Sequence, residues 1–252
     1  MVAVTSVAPA LKTLLILLFC VMIAAFVYVI AIGGVTSCFD WTSRWDLAMV
    51  TDFSVYAVVL GAWCFYKESS WTKTTIFFVL MQTIGSVATI PYILFQFYKL
   101  SPEESAKDPL YFVLERDRTR EHTQGTSVAT TRTIFSALGC LMLVVLIYTI
   151  IMDIYAYHGE AFSLCFLTYM VDIYIHAILL SVWIAYKESS WIRASLWILS
   201  LVIFGSITLC VYILHQLFFL SPEQPASLIL FKSINDKDLQ SSDPLLRAQA
   251  NV

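Results

Sequence analysis

The sequence predicts an all-α integral membrane protein with six transmembrane helices, arranged as two tandem three-helix repeats in inverted topology. Composition, six long apolar segments and an internal duplication support this prediction. The chain has 252 residues, of which 59% are hydrophobic and 13% charged, whereas soluble proteins contain about 45–50% and about 25%. This apolar excess excludes a soluble domain and a wholly disordered chain. With 15 basic against 18 acidic residues, the chain lacks the positive charge that nucleic-acid binding requires.

Six segments are long and apolar enough to be helices that cross a bilayer, a distance that takes about 20 residues. Tryptophan and tyrosine lie near the segment ends, as they do at membrane–water interfaces. The third segment lies between two lysines and leaves room for a tilted helix. The six predicted spans are Leu14–Val35, Trp45–Tyr66, Thr74–Tyr98, Ile134–Tyr155, Phe162–Tyr186 and Ala194–Leu220.

The sequence repeats itself at an offset of 120 residues, without a gap. The string Tyr66-Lys67-Glu68-Ser69-Ser70-Trp71 recurs letter for letter from Tyr186 to Trp191. Between Asp52 and Glu103, 20 of 52 positions are identical to their counterparts. Duplication within one chain indicates which positions have stayed constrained while their neighbours changed.

Three crossings in each repeat, an odd number, predict that the second repeat is inverted in the membrane relative to the first. The expected domains follow from the duplication and from the polar stretches. They are a first three-helix repeat (1–103), a polar connecting loop (104–131), a second three-helix repeat (132–223) and a flexible C-terminal tail (224–252).

Asp52 and Asp172 are ionisable residues inside predicted spans, which marks them as candidate functional residues because a charge there is costly. Tyr56 and His176 follow one helical turn later, on the same faces. Asp172 and His176 could form an ion pair or a proton relay. The alternative is structural: the carboxylates would form hydrogen bonds that hold the second and fifth helices together.

The duplicated string admits two interpretations as well. Its serine suits a helix N-cap and its tryptophan an interfacial anchor. Retention of all six residues in both repeats favours a function for Glu68 and Glu188. Tyr92 with Gln96, like Tyr212 with Gln216, lies on one helix face and suits either helix packing or the polar wall of a cavity. The candidate substrate- or proton-binding residues are Asp52, Asp172, Tyr56, His176, Glu68, Glu188, Tyr66, Tyr186, Tyr92, Tyr212, Gln96 and Gln216.

The duplicated string, the preceding aspartate, the later Gly-Ser pair and the Tyr-Ile-Leu-x-Gln pattern resemble a plant membrane family catalogued as domain of unknown function 1475. The resemblance covers both repeats and most of the chain. It implies a multi-pass membrane protein of a plant, and it implies no activity.

Three functions are compatible with these residues. A small-solute or proton-coupled transporter or channel, using the paired aspartates, is favoured by the inverted repeat. No paired Gly- or Pro-broken helices are apparent, which counts against it. The second is a membrane-embedded isomerase or cyclase acting on a lipophilic small molecule, with a carboxyl group as general acid. The third is a structural or assembly protein. The lipid bilayer and a small lipophilic or polar solute are the expected partners, and no cofactor or metal motif is present.

Overall fold

The computed structural model describes residues 7–33, 43–115, 127–156, 164–221 and 225–231. Within these ranges the chain is almost entirely helical. Four helices are long and apolar enough to cross a membrane. The helices are α1 (Val7–Gly33), α2 (Arg44–Glu68), α3 (Trp71–Ile84), α4 (Ser86–Tyr98), α5 (Pro102–Lys107), α6 (Pro109–Leu114), α7 (Val128–Ala156), α8 (Leu164–Lys187), α9 (Trp191–Phe204) and α10 (Ser206–Phe218), followed by a 3₁₀ turn (Ala226–Leu230).

The predicted third span is two helices, α3 and α4, that form a hairpin. The Phe77 and Tyr92 rings, on opposite sides of Gly85, lie 4.8 Å apart. Tyr92 also donates a hydrogen bond to Glu68, the last residue of α2, over 3.3 Å. Both ends of the hairpin therefore lie beside the end of α2, and Gly85 is at its far tip.

The predicted sixth span has the same form. Helices α9 and α10 meet at Gly205, and the Trp197 and Tyr212 rings on the two arms lie 5.1 Å apart. The Tyr212 hydroxyl donates a hydrogen bond of 3.2 Å to Glu188, at the end of α8. The prediction of six spanning helices is wrong for these two segments, because each reverses near its middle.

The two hairpins begin at the same end of the bundle, which we call the motif end because both copies of the duplicated string lie there. Lys67, in the first copy, donates to the carbonyl of Val113 over 2.6 Å. Lys187, in the second, donates to the carbonyl of Phe231, whose ring packs against Tyr111. The opposite end, where α2 and α8 begin, is the loop end.

The inverted arrangement is contradicted by these contacts. At the loop end, Arg44 at the start of α2 donates to the carbonyl of Met152 near the end of α7, over 3.5 Å. At the motif end, Lys12 near the start of α1 lies over the Tyr98 ring, 4.7 Å from its centroid. Each half contributes two long helices, an even number, so both halves run in the same direction.

Helices α2 and α8 form the centre of the bundle. Their contact is made by fully buried side chains, among them Tyr56 and His176. Helix α1 packs on α4 and α8, and α7 packs correspondingly on α10 and α2. The outward faces of α1, α7 and both hairpins expose mainly large apolar side chains. The polar groups of the candidate site therefore lie inside the bundle.

Candidate functional site at the two helix breaks

The tip of each hairpin is a glycine in a backbone conformation that other residues avoid. Gly85 has φ 57° and ψ −132°, and Gly205 has φ 57° and ψ −137°. This is the mirror image of an extended conformation and is open to glycine because it lacks a Cβ atom. Helices α4 and α10 start directly after these residues, so their first backbone N–H groups face inward.

Each exposed helix start is bound by an aspartate from the other half of the chain. Asp172 Oδ1 accepts a hydrogen bond of 2.7 Å from the Ser86 N–H. Asp52 Oδ1 accepts one of 3.0 Å from the Ser206 N–H and one of 2.6 Å from its hydroxyl. Neither glycine can cap its helix with a side chain, so the aspartates supply the missing acceptor. The positive end of each helix dipole also favours the carboxylate.

The carboxylates approach the glycines too closely to admit a side chain. A Cβ atom on Gly85 would overlap the Asp172 carboxylate, and one on Gly205 would lie 2.9 Å from Asp52 Oδ1. Both aspartates are almost fully buried, at 4% and 6% exposure. In membrane proteins, backbone that leaves a helix within the bilayer is tolerated where it is buried in protein or lines a cavity.

His176 extends the polar contacts at the Gly85 tip. Its Nδ1 lies 2.9 Å from the Asp172 carbonyl and its Nε2 lies 3.0 Å from the Thr89 hydroxyl. The Nδ1–carbonyl contact requires a proton on Nδ1, since a carbonyl only accepts. In the tautomer whose single proton is on Nδ1, Nε2 is the acceptor for the Thr89 hydroxyl. Sequence reasoning predicted the proximity of Asp172 and His176, whose Nδ1 is also 3.8 Å from Asp172 Oδ1, but missed Thr89.

A cavity of about 500 Å³ adjoins the Gly85 tip. It is formed by the loop-end halves of α1, α2 and α8 together with the last turn of α3. Its wall is apolar over most of its area and polar near Asp172. The lining residues are Met22, Phe26, Val29, Ile30, Val50, Phe53, Gln82, Thr83, Ile84, Gly85, Thr168, Tyr169 and Asp172.

Glu68 and Glu188 belong to a separate polar layer at the motif end, where they hold the two arms of each hairpin together. Glu68 Oε1 accepts from the Tyr92 hydroxyl and, over 3.5 Å, from the Gln96 amide. Its other oxygen is 3.1 Å from Lys73 at the start of the hairpin. Glu188 Oε1 makes the equivalent bonds to Tyr212 and Gln216, and its Oε2 pairs with Arg193.

The remaining residues of the duplicated string also serve the fold. Lys67 and Lys187 donate to carbonyls of the segments that follow each hairpin. Tyr186 donates to the Asp108 carboxylate over 3.2 Å, and Tyr66 packs against the Phe231 ring. The serines begin each hairpin, while the two tryptophans project outward. These contacts account for the retention of the string without a ligand.

We expect Lys67→Met to destabilise the protein by about 1–3 kcal/mol, because it leaves buried carbonyls without a donor. The Lys67 ammonium group lies within 3.5 Å of the carbonyls of Phe112, Val113 and Glu115. Lys73→Met is the control, since the Lys73 side chain is 57% exposed and its ion pair is expected to contribute less than about 1 kcal/mol. Thermal unfolding in detergent measures both. Equal melting temperatures for the two variants would contradict the structural role of Lys67.

The twelve predicted residues are thus divided between two layers, and the sequence did not indicate this division. It also missed Gly85 and Gly205 as breaks, although the Gly-Ser pair is kept in both halves. A glycine in a long apolar segment suits close helix packing equally well. Among the described residues, no three His, Cys, Asp or Glu side chains are grouped as metal ligands.

Comparison with known proteins places the chain in a family without assigning an activity. No curated protein and no solved structure matches it. Residues 1–237 match the model of the family described as protein of unknown function (DUF1475), to which the chain therefore belongs.

Proposed function

We propose that this chain is a multi-pass membrane protein with four spanning helices and two re-entrant hairpins, built from two similar halves in parallel orientation. The long helices have the required length and apolarity. Seven of the nine exposed side chains of α9 and five of the ten of α3 are apolar, and lipid contact favours such side chains. Eight of the nine Lys and Arg in the described residues lie at the motif end, and Arg44 is at the loop end. By the positive-inside rule the motif end is cytoplasmic.

Within that membrane protein, we propose a carrier for a small solute, with Asp172 at its binding site. The observation that carries this proposal is the pair of glycine-broken hairpins whose helix starts face buried carboxylates. Interrupted helices at corresponding positions of two halves are the best sequence-level indicator of a transport site. Here the Gly85 break also borders a cavity of about 500 Å³.

The cavity and the packing around it suggest one state of a transport cycle. The cavity lies in the loop-end half of the bundle, between the end of α1 and the starts of α2 and α8. Towards the motif end, Phe53, Tyr56 and His176 fill the centre of the bundle. Solute bound at Asp172 would thus be separated from the cytoplasmic side by these rings. Movement of the Gly85 hairpin relative to α8 would be needed to release it there.

A second function is favoured by the apolar wall of the same cavity. A lipophilic molecule held against Met22, Phe26 and Val29 would place one end near Asp172 and Tyr169. A carboxyl group in this position could act as general acid in an isomerisation or cyclisation. This alternative needs no movement of the hairpin, and it predicts a chemical product rather than a redistributed solute.

Untargeted mass spectrometry of cells and medium distinguishes the two functions. Cells expressing the wild type are compared with cells expressing equal amounts of folded Asp172→Asn, and with the exposed control Glu103→Gln. A metabolite redistributed across the membrane by the wild type and the control, but not by Asp172→Asn, supports the carrier. A new lipophilic product with the same dependence supports the enzyme. Identical profiles for all three proteins would contradict both and favour a structural role.

A further inference from the structure

The two hairpin tips are built alike but have different surroundings. Both keep the glycine, the serine and the aspartate. The residues around them differ. Polar residues near the Gly85 tip correspond, at the offset of 120 residues, to apolar or bulkier residues near the Gly205 tip. Thr168, Tyr169, Gln82, Thr83, Thr89 and His176 correspond to Ala48, Met49, Val202, Ile203, Leu209 and Tyr56.

The hydrogen bonds of the serine hydroxyls also differ between the two tips. At the Gly205 tip, the Ser206 hydroxyl donates its hydrogen to Asp52 Oδ1 over 2.6 Å. At the Gly85 tip, the Ser86 hydroxyl is buried and has no hydrogen-bond partner among the described residues. A buried hydroxyl without a partner costs free energy. Ser86 itself is fully buried, and the cavity borders its neighbour Gly85 and its partner Asp172. The serine hydroxyl is therefore unpartnered at the first tip and bonded to the aspartate at the second, where the buried hydroxyl of Tyr56 also lacks a partner among the described residues.

We infer that ligand binding is confined to the Gly85 tip, and that the ligand is a small amphipathic molecule with a neutral or cationic head that donates hydrogen bonds. The Gly205 tip, with Asp52, is a structural anchor. This inference rests on the site of the proposed function, but it holds whether the ligand is carried or converted.

The chemistry of the cavity selects this class of ligand. Its volume of about 500 Å³ is within the usual range for small-molecule sites, about 300–1,000 Å³. The apolar wall suits a hydrocarbon body. At the polar end, Asp172 is acidic, and no Lys or Arg is present among the described lining residues. An anionic head would meet a carboxylate with no compensating cation among those described residues, whereas an amine or alcohol could donate to the polar groups there.

The test is binding of three probes of equal chain length, dodecylamine, dodecanol and dodecanoate, to the purified protein in nanodiscs. Binding is measured as the rise in melting temperature. Two variants address the first tip: Asp172→Asn, and a quadruple variant carrying Q82V, T83I, T168A and Y169M, which gives this tip the apolar residues of the second. Asp52→Asn and the double variant V202Q/I203T are the matched changes at the second tip.

We expect the amine and the alcohol to stabilise the wild type and dodecanoate to have no effect. Both first-tip variants should weaken the apparent affinity at least tenfold, while both second-tip variants retain wild-type affinity. Equal loss at the two tips, or stabilisation by all three probes alike, would overturn the inference. Binding with this pattern but without transport or product formation would reject the proposed function and leave the inference intact.

Discussion

Gly85→Ala is expected to destabilise the protein by more than about 3 kcal/mol and to abolish accumulation of folded protein in the membrane. Alanine at this position would have to adopt a φ of 57°, which residues with a side chain rarely do. This backbone strain costs about 1–3 kcal/mol. The methyl group would also overlap the Asp172 carboxylate, which itself binds the start of α4. Folded protein is measured by fluorescence-detected gel filtration after solubilisation.

A matched control and a partial rescue separate the two causes. Gly61 lies within α2, and a Cβ there would meet Phe78 at an ordinary 3.4 Å, so Gly61→Ala should be tolerated. In the double variant Gly85→Ala/Asp172→Gly the overlap is removed and the backbone strain remains, so part of the folded protein should return. Normal folding of Gly85→Ala alone would show that this tip does not have the conformation described above.

Asp52→Ala is expected to cost about 2–6 kcal/mol, and Asp172→Ala about 1–3 kcal/mol, since each buried donor left without a partner costs about 1–3 kcal/mol. Asp52 accepts from both the N–H and the hydroxyl of Ser206. Asp172 accepts from the Ser86 N–H, and the His176 bond to its carbonyl is kept in alanine. Thermal unfolding of both variants measures the difference.

The corresponding asparagine variants test the cause of this loss. The side chains introduced by Asp52→Asn and Asp172→Asn keep an oxygen that can accept from the helix start, so each variant should recover part of the stability lost in its alanine counterpart. A larger cost for Asp172→Ala than for Asp52→Ala would contradict the assignment of Asp52 as the structural anchor.

Much of the fold could be predicted from the sequence because apolar length and the 120-residue duplication are visible there. The long helices α1, α2, α7 and α8 match four of the predicted spans closely. The direction of the second half could not be predicted correctly, since it depends on whether two segments cross or turn back. Between Lys73 and Lys99 the chain is mostly apolar and has no charged residue, and one long helix or two short ones satisfy that pattern equally.

Part of the candidate site was named from the sequence, namely the two aspartates, Tyr56 and His176, while the two glycines, Thr89 and the arrangement were missed. Asp52 and Asp172 are buried at the bundle centre, as a costly intramembrane charge suggests. Their partners include backbone N–H groups of the opposite half, and such partners leave no side-chain pattern in the sequence. Glu68 and Glu188 are identical in the two halves, as the aspartates are. Each, however, accepts hydrogen bonds from side chains of its own half and holds the two arms of that hairpin together. Retention alone therefore does not distinguish a binding residue from a structural one.

We propose that the segment from Trp71 to Tyr98 turns back at Gly85 instead of crossing the membrane. Single cysteines at Lys73→Cys and Lys99→Cys, in a cysteine-free background, are labelled with a membrane-impermeant maleimide in sealed vesicles of known orientation. Asp153→Cys, near the loop end, is the reference for the other side. We predict that the first two sites label from the same side and Asp153→Cys from the opposite side. Labelling of the two lysine positions from opposite sides would contradict the hairpin and restore the six-span topology.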